Sequence, residues 1–271
     1  MARCWPMSHP LLDIAAVDAV EPYLDRVGEV FRTFDRQGSG CVAYGVEVDA
    51  RRWFVKTART PAADASLRRA VAFHAMVRHP AIVPLRHAIT VGETLALVYS
   101  WQRGEVLHHR GQSRRDPAGA LARFRQRPVP EVRRALGRVL DAHLAVERAG
   151  MVAVDLTEGA LLYDFGTGTM VLCDMDGYRP GPFTPTGQVS GAVRLMAPEE
   201  YPYRPDSVID IRTTVYTLGR IIRTLLDGED DESAWRGTAD QLDVVAVACR
   251  PEPERRFDSV RSLVAAWRKA T

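Results

Sequence analysis

An apolar run ends on two carboxylates, two positions apart, in MVLCDMDGYRP, residues 170–180. Asp176-Gly177 is a turn signal. Asp174-x-Asp176 at a strand end is also a candidate cation site, because strand alternation sends residues i and i+2 to one face. Asp176 is therefore either the start of a turn or a second ligand. Asp155 follows another short apolar run in MVAVDL. Of the 36 basic residues only Lys56 and Lys269 are Lys, and Lys56 closes the apolar stretch RRWFVKTA. Arg is a planar fork, whereas Lys is a compact point charge on a flexible stem. Lys56 is thus either a snorkelling strand-end cation or a group placed to hold an anion. Gly38 and Gly40 flank Ser39 in a turn that would let backbone N–H groups approach phosphate. Phosphoryl transfer from ATP needs a cation on the α- and β-phosphates, oxygen ligands for Mg²⁺, and a carboxylate to orient a hydroxyl. Lys56, Asp174 (with or without Asp176) and Asp155 are of those types.

The elements that must position these groups fall in two parts. Residues 1–22 read as a leader with a short helical piece closed by Pro22. VFRTF, CVAYGVEV and RRWFVKTA read as strands, with a turn at Asp49-Ala50. Pro61 opens a loop, DASLRRAVAFHAMVRHP is helical, and AIVPLRHAITVGETLALVYSW holds two strands around Gly92-Glu93. That makes a five-stranded, one-helix lobe over 23–101, followed by a mainly helical part over 102–271. Residues 103–130 form an Arg-rich linker with some helix. A helix over 130–150 stops at Gly150. Short strands lie at MVAVDL, ALLYDF and MVLCD, and further helices at 209–227, 239–249 and DSVRSLVAAWRKA. The acidic run from Asp227 to Glu232 reads as a solvated loop. The fold class is α+β.

Composition narrows the function. The chain has 271 residues, 46% hydrophobic and 26% charged, which is enough for a sizeable core. A net charge of +2 argues against a general nucleic-acid binder. No apolar run reaches membrane-span length, and no signal-peptide core is present, so a cytoplasmic location is expected. Cys4, Cys41, Cys173 and Cys249 lack metal-ligand spacing. Between Trp101 and Arg134 nine Arg face three acids, so this strip is either a solvated surface or a dock for an acidic partner.

From about residue 26 to 268 the sequence resembles the protein kinase-like family. GSGCVAYGV resembles its Gly-rich loop, FVK its strand lysine, and VRHPAIVPL its helix-to-strand signature. LALVYSWQRGEVL resembles the hinge, AVDLTEGALLY the catalytic loop, VLCDMDG the metal-binding strand end, and MAPEE, TTVYTLGRII and PEPERRFDSV later landmarks. The resemblance implies a bilobal fold with ATP and Mg²⁺ as cofactors. It implies Asp155 and Lys56 as catalytic residues, Gly38, Gly40, Lys56, Tyr99 and Trp101 at the nucleotide, and Asp174 with Asp176 at the metal. It also implies Arg256 as a partner for Glu199.

Departures from the pattern bear on activity. Ala70 stands where the family carries a Glu for the lysine, and Ala153-Val154 stand in place of His-Arg. Thr157, Ala160, Ala192 and Thr214 replace Lys, Asn, Thr and Asp. Two functions follow: a phosphotransferase acting on a protein or small-molecule hydroxyl, or a pseudokinase serving as a nucleotide-binding or scaffolding module.

Overall fold

In the computed structural model, which describes residues 9–35, 38–109, 111–227 and 231–270, the chain divides into two compact units. Unit 1 takes in the chain to His74 and residues 83–102; unit 2 takes residues 75–82 and 103 onward. The class is α+β.

Unit 1 contains β1 (Ala16–Val17), α1 (Val20–Val27), β2 (Glu29–Phe34), β3 (Cys41–Val48), β4 (Arg51–Ala58), α2 (Pro61–Met76), β5 (Leu85–Val91) and β6 (Thr94–Ser100). The strands form one sheet in the order β1-β5-β6-β4-β3-β2, antiparallel except for β1 beside β5. The β3–β4 hairpin closes through Asp49 and Ala50, both at positive φ (51° and 58°). Two consecutive positive-φ residues give the turn whose twist matches the flanking strands.

Alternation then sorts the side chains. Trp53 and Val55 of β4 join Tyr44, Val46, Ile89, Ala96 and Val98 in one core, covered by Leu11, Val20 and Leu24. Ala58 points to the opposite face, with Cys41 and Leu97, beneath Ala63, Leu67 and Ala70 of α2.

Residues 9–22, expected as a leader, are therefore part of this unit. They add β1 and begin α1, so the sheet has six strands and two helices rather than five and one. Pro22 lies inside the first turn of α1, where a missing N–H costs nothing. Pro61 likewise starts α2 rather than a loop. Thr60 Oγ1 accepts from Ala63 N–H ahead of it (3.2 Å), and a fixed φ suits the first helical position. Tyr23 Oη donates to the Pro10 carbonyl (2.6 Å), and a His87 ring nitrogen meets the Ile14 carbonyl (2.6 Å), tying the early chain to the unit.

Unit 2 contains β7 (Glu105–Val106), α3 (Ala120–Arg125), α4 (Val129–Arg148), β8 (Met151–Val152), β9 (Leu161–Asp164), β10 (Thr169–Leu172), β11 (Arg179–Pro180), α5 (Ile211–Leu226), α6 (Ala239–Ala248) and α7 (Val260–Lys269). α4 buries Val132, Leu136, Val139, Leu140, His143 and Val146 at helical spacing, and the chain then turns at Gly150 (φ 66°). α5 is buried along most of its length behind a reciprocal Asp210–Thr213 cap. The carboxylate of Glu147 accepts from the N–H groups of Val260 and Arg261 (2.8 and 3.0 Å), binding α4 to the positive end of α7.

The expected linker contributes β7 and α3. The expected solvated loop is corrected at Asp227, which is 2% exposed and ion-paired to Arg223 at 2.6 Å. Residues 228–230 of that run and Cys4 lie outside the described residues.

Candidate functional site

Unit 2 brings its expected site residues together. β8 pairs antiparallel with β11, Val152 opposite Arg179 and Met151 opposite Pro180. Asp155 follows β8 by three residues, and the 3-10 turn Met175–Gly177 precedes β11, so the two approach one another. Gly177 fixes the approach: a Cβ there would lie 2.2 Å from the Val154 carbonyl and 3.1 Å from the Asp155 Cβ. Asp155 is exposed between buried Val154 and Leu156, and Asp174 is exposed beside buried Met175. Both have φ of 62°. Left-handed backbone is uncommon outside Gly, though Asp tolerates it, and such conformations gather at functional sites.

Asp176 is half-buried within the 3-10 turn. β10 ends at Leu172, so strand alternation does not place Asp174 and Asp176 on one face. Mg²⁺ is commonly held by one or two carboxylates plus substrate phosphates. Asp174, exposed at the head of the turn, is the right donor type for that mode. Among the described residues no group of three or more His, Cys, Asp or Glu is arranged to hold a metal.

Behind the two aspartates lies a buried relay. Tyr178 Oη donates to His143 Nε2 (2.9 Å), and His143 Nδ1–H donates to the Val139 carbonyl (2.8 Å). Burial, followed by the Asp155 and Asp174 carboxylates, raises the Tyr178 phenol, so it stays a donor. Burial pushes His143 down to about 4 and keeps it neutral.

Several residues that depart from the sequence pattern have visible work. Thr214 Oγ1 accepts from the N–H of buried Ala153 (3.0 Å), so a hydroxyl braces the chain entering Asp155. Thr157 Oγ1 accepts from Gly159 N–H (3.2 Å) and caps the next turn. Ala160 is buried and its carbonyl accepts from Cys173 N–H (2.9 Å). Arg256 meets Glu199 through two N–H···O bonds (2.7 and 2.8 Å), as expected, and stacks on Tyr216.

Two acids escaped the sequence reading. Glu200 is buried and accepts from Ala197 N–H (2.8 Å); burial, joined by the nearby charges of Glu199 and Asp155, raises it to about 7. Glu158 is fully buried between Arg114 and Arg194. The Arg114 and Arg194 partners lie 44 and 36 residues away, so no local spacing marks it. The Arg strip is accordingly not one free surface: Arg114 turns inward to Glu158, Arg123 pairs with Glu105 and Arg127 with Glu131.

In unit 1, Lys56 is 6% exposed and pairs in register with Ala43 and Leu97. It shares a face with Phe54, two residues earlier. Tyr99, opposite Phe54, also packs edge-on against His74 (5.7 Å). Trp101 packs against Phe31 (5.0 Å) and near Phe34 and Phe54. Its ring and that of Phe31 come within 3 Å of where a Gly45 Cβ would be. Half-buried aromatic rings thus cover the sheet next to Lys56. Ala70 is fully buried with Ala58 and Leu97, so α2 presents methyl rather than carboxylate there. Gly38 and Gly40 have φ of 65° and 74°, and Thr60 Oγ1 would sit 2.6 Å from a Gly40 Cβ. Turn geometry and Thr60 therefore account for Gly40 without a phosphate.

A scan against protein-family models and a search of curated proteins return no match to this chain. No helix among the described residues is long and apolar enough to cross a membrane.

Proposed function

We propose that the chain is a protein kinase-like phosphotransferase, its units 1 and 2 being the smaller and larger lobes of that fold. It uses Mg²⁺ and ATP to phosphorylate a hydroxyl on a protein or small molecule. In this assignment Lys56 takes the α- and β-phosphates, Asp174 ligates Mg²⁺, and Asp155 orients the acceptor hydroxyl. Tyr99 and Trp101 would flank the nucleotide base. The observation that carries the proposal is the convergence of Asp155 and Asp174, both exposed and both left-handed, across the contact made by Gly177. The element order and the Glu199–Arg256 pair add support.

A second function, a pseudokinase module without turnover, is favoured by one feature. Phe31, Phe34, Phe54 and Trp101 pack over the sheet face beside Lys56, where a base would need room. ATP turnover by purified protein decides between the two. The wild type is expected to release ADP at least about tenfold faster than Asp155→Ala, as loss of an acid–base group does. Equal rates would discard the enzyme. Mg-ATP-dependent thermal stabilisation would then separate a nucleotide-binding module from a scaffold.

A further inference from the structure

Among the described residues two glycines lie inside α-helices, Gly137 in α4 and Gly219 in α5. Packing accounts for Gly219: a Cβ there would lie 2.7 Å from Cys249 Sγ and 3.0 Å from the Ala248 Cβ. It does not account for Gly137, where a Cβ would meet no atom within 4 Å. Glycine inside a helix is less stable than alanine, and its uses there include the close approach of backbone to a ligand. Gly137 lines a cavity of about 200 Å³ between α4 and α7. Leu140, Val264 and Trp267, all buried, form its apolar walls, and Arg133, Asp141 and Arg268 complete the lining. The lining charges do not cancel. Arg268 Nη2 donates to Asp141 Oδ1 at 2.5 Å, closing one ion pair from α7 to α4. That leaves Arg133, which is half-buried and whose side chain has no ion-pair or hydrogen-bond partner among the described residues. A cation partly withdrawn from water is best met by an anion. The apolar walls call for a ligand with an apolar body. The volume is below the roughly 300–1,000 Å³ of sites for drug-sized molecules, so the ligand is smaller than those.

We propose that the α4–α7 cavity binds a small organic carboxylate, its apolar body against Leu140, Val264 and Trp267 and its carboxylate on Arg133. A planar guanidinium fork matches a carboxylate in two-point contact. Gly137 is the gap that lets the ligand lie against the backbone of α4. The site shares no residue with Lys56, Asp155 or Asp174 and does not rest on the proposed function.

The test is a titration of the full chain followed by heteronuclear NMR at the indole N–H of Trp267, assigned with Trp267→Phe. The probes are phenylacetate, its uncharged isostere phenylacetamide, and inorganic phosphate. Phenylacetate is expected to shift the Trp267 signal saturably below about 10 mM, and phenylacetamide to bind at least about tenfold more weakly. Phosphate, which lacks an apolar body, should leave the signal in place. Arg133→Gln should weaken phenylacetate at least about tenfold and leave phenylacetamide unchanged, whereas Arg115→Gln should bind both as wild type does. Gly137→Leu puts a side chain of α4 itself into the cavity and improves helix propensity. It should unfold at no lower temperature than wild type and lose phenylacetate at least about tenfold. No saturable binding of phenylacetate, equal binding of the acid and the amide, or equal binding of phosphate would overturn the proposal. So would unchanged affinity in Arg133→Gln or in Gly137→Leu, or a lower unfolding temperature in Gly137→Leu, which would mean that the cavity has no room for a side chain. Analytical ultracentrifugation covers the remaining occupant: a wild-type dimer that Gly137→Leu abolishes would put a second copy of the chain at the cavity and overturn the proposal as well.

Discussion

His143 and Glu200 are buried groups whose uncharged forms the fold prefers, and they tilt stability in opposite directions with pH. His143 is held near 4 against an ordinary 6.5, so between those values the unfolded chain binds a proton that the folded chain refuses. Stability falls as pH drops from 6.5 to 4, by on the order of 3 kcal/mol for this residue. His74, also lowered to about 4 by burial, adds a loss of the same sign. Denaturant midpoints measured from pH 7 to pH 4 should show this acid slope, and His143→Gln should make it shallower. Glu200 behaves inversely. Its folded carboxyl keeps its proton up to about 7 while the unfolded one releases it near 4.5. Its contribution is therefore lost as pH rises through that window. Glu200→Gln retains an acceptor for Ala197 N–H without the charge, and should be more stable than wild type at pH 8 by roughly 1–3 kcal/mol. At pH 4 the two should unfold at the same denaturant concentration.

At the scale of elements, the site depends on short pieces being braced. β8 is two residues long, and what fixes the chain beyond it is the Thr214 hydroxyl on Ala153 N–H, together with Gly177 against Val154. Thr214 braces this stretch with a single acceptor oxygen. Thr214→Val is nearly isosteric and leaves the Ala153 N–H buried without a partner, which costs about 1–3 kcal/mol. Chemical denaturation should show that loss in Thr214→Val and little loss in Thr214→Ser. If Asp155 is catalytic, turnover should fall in the valine variant as well. The elements themselves were largely legible. β3 and β4 fall on CVAYGVEV and RRWFVKTA because alternation and a two-residue turn leave little choice of register. α4, α5 and α7 lie where apolar spacing and capping residues put them. Pro22 and Pro61 misled because proline is read as a breaker, while the first turn of a helix accepts it.

At the scale of the molecule, residues 9–27 are core rather than appendage. Leu24 has no exposure and lies among Val46, Val55, Ile89 and Val98 of the sheet. Leu24→Ala should cost about 2–5 kcal/mol, as large-to-small changes in packed cores do. Thermal unfolding would read this directly, and a near-zero change would mean that α1 is only loosely docked.

Composition, periodicity and the order of Gly38, Lys56, Asp155 and Asp174 were enough to derive the α+β class, most element positions and the residues worth testing. Those properties are local, set by what a few neighbouring side chains require of the backbone. The nearness of Asp155 to Asp174, the aromatic cover beside Lys56, the burial of Asp227 and the arginine pair on Glu158 were decided only by tertiary structure. Each joins residues distant in the chain or sets a burial that no local pattern encodes. A charge's partner, and whether water reaches it, emerge only once distant segments within a unit have packed.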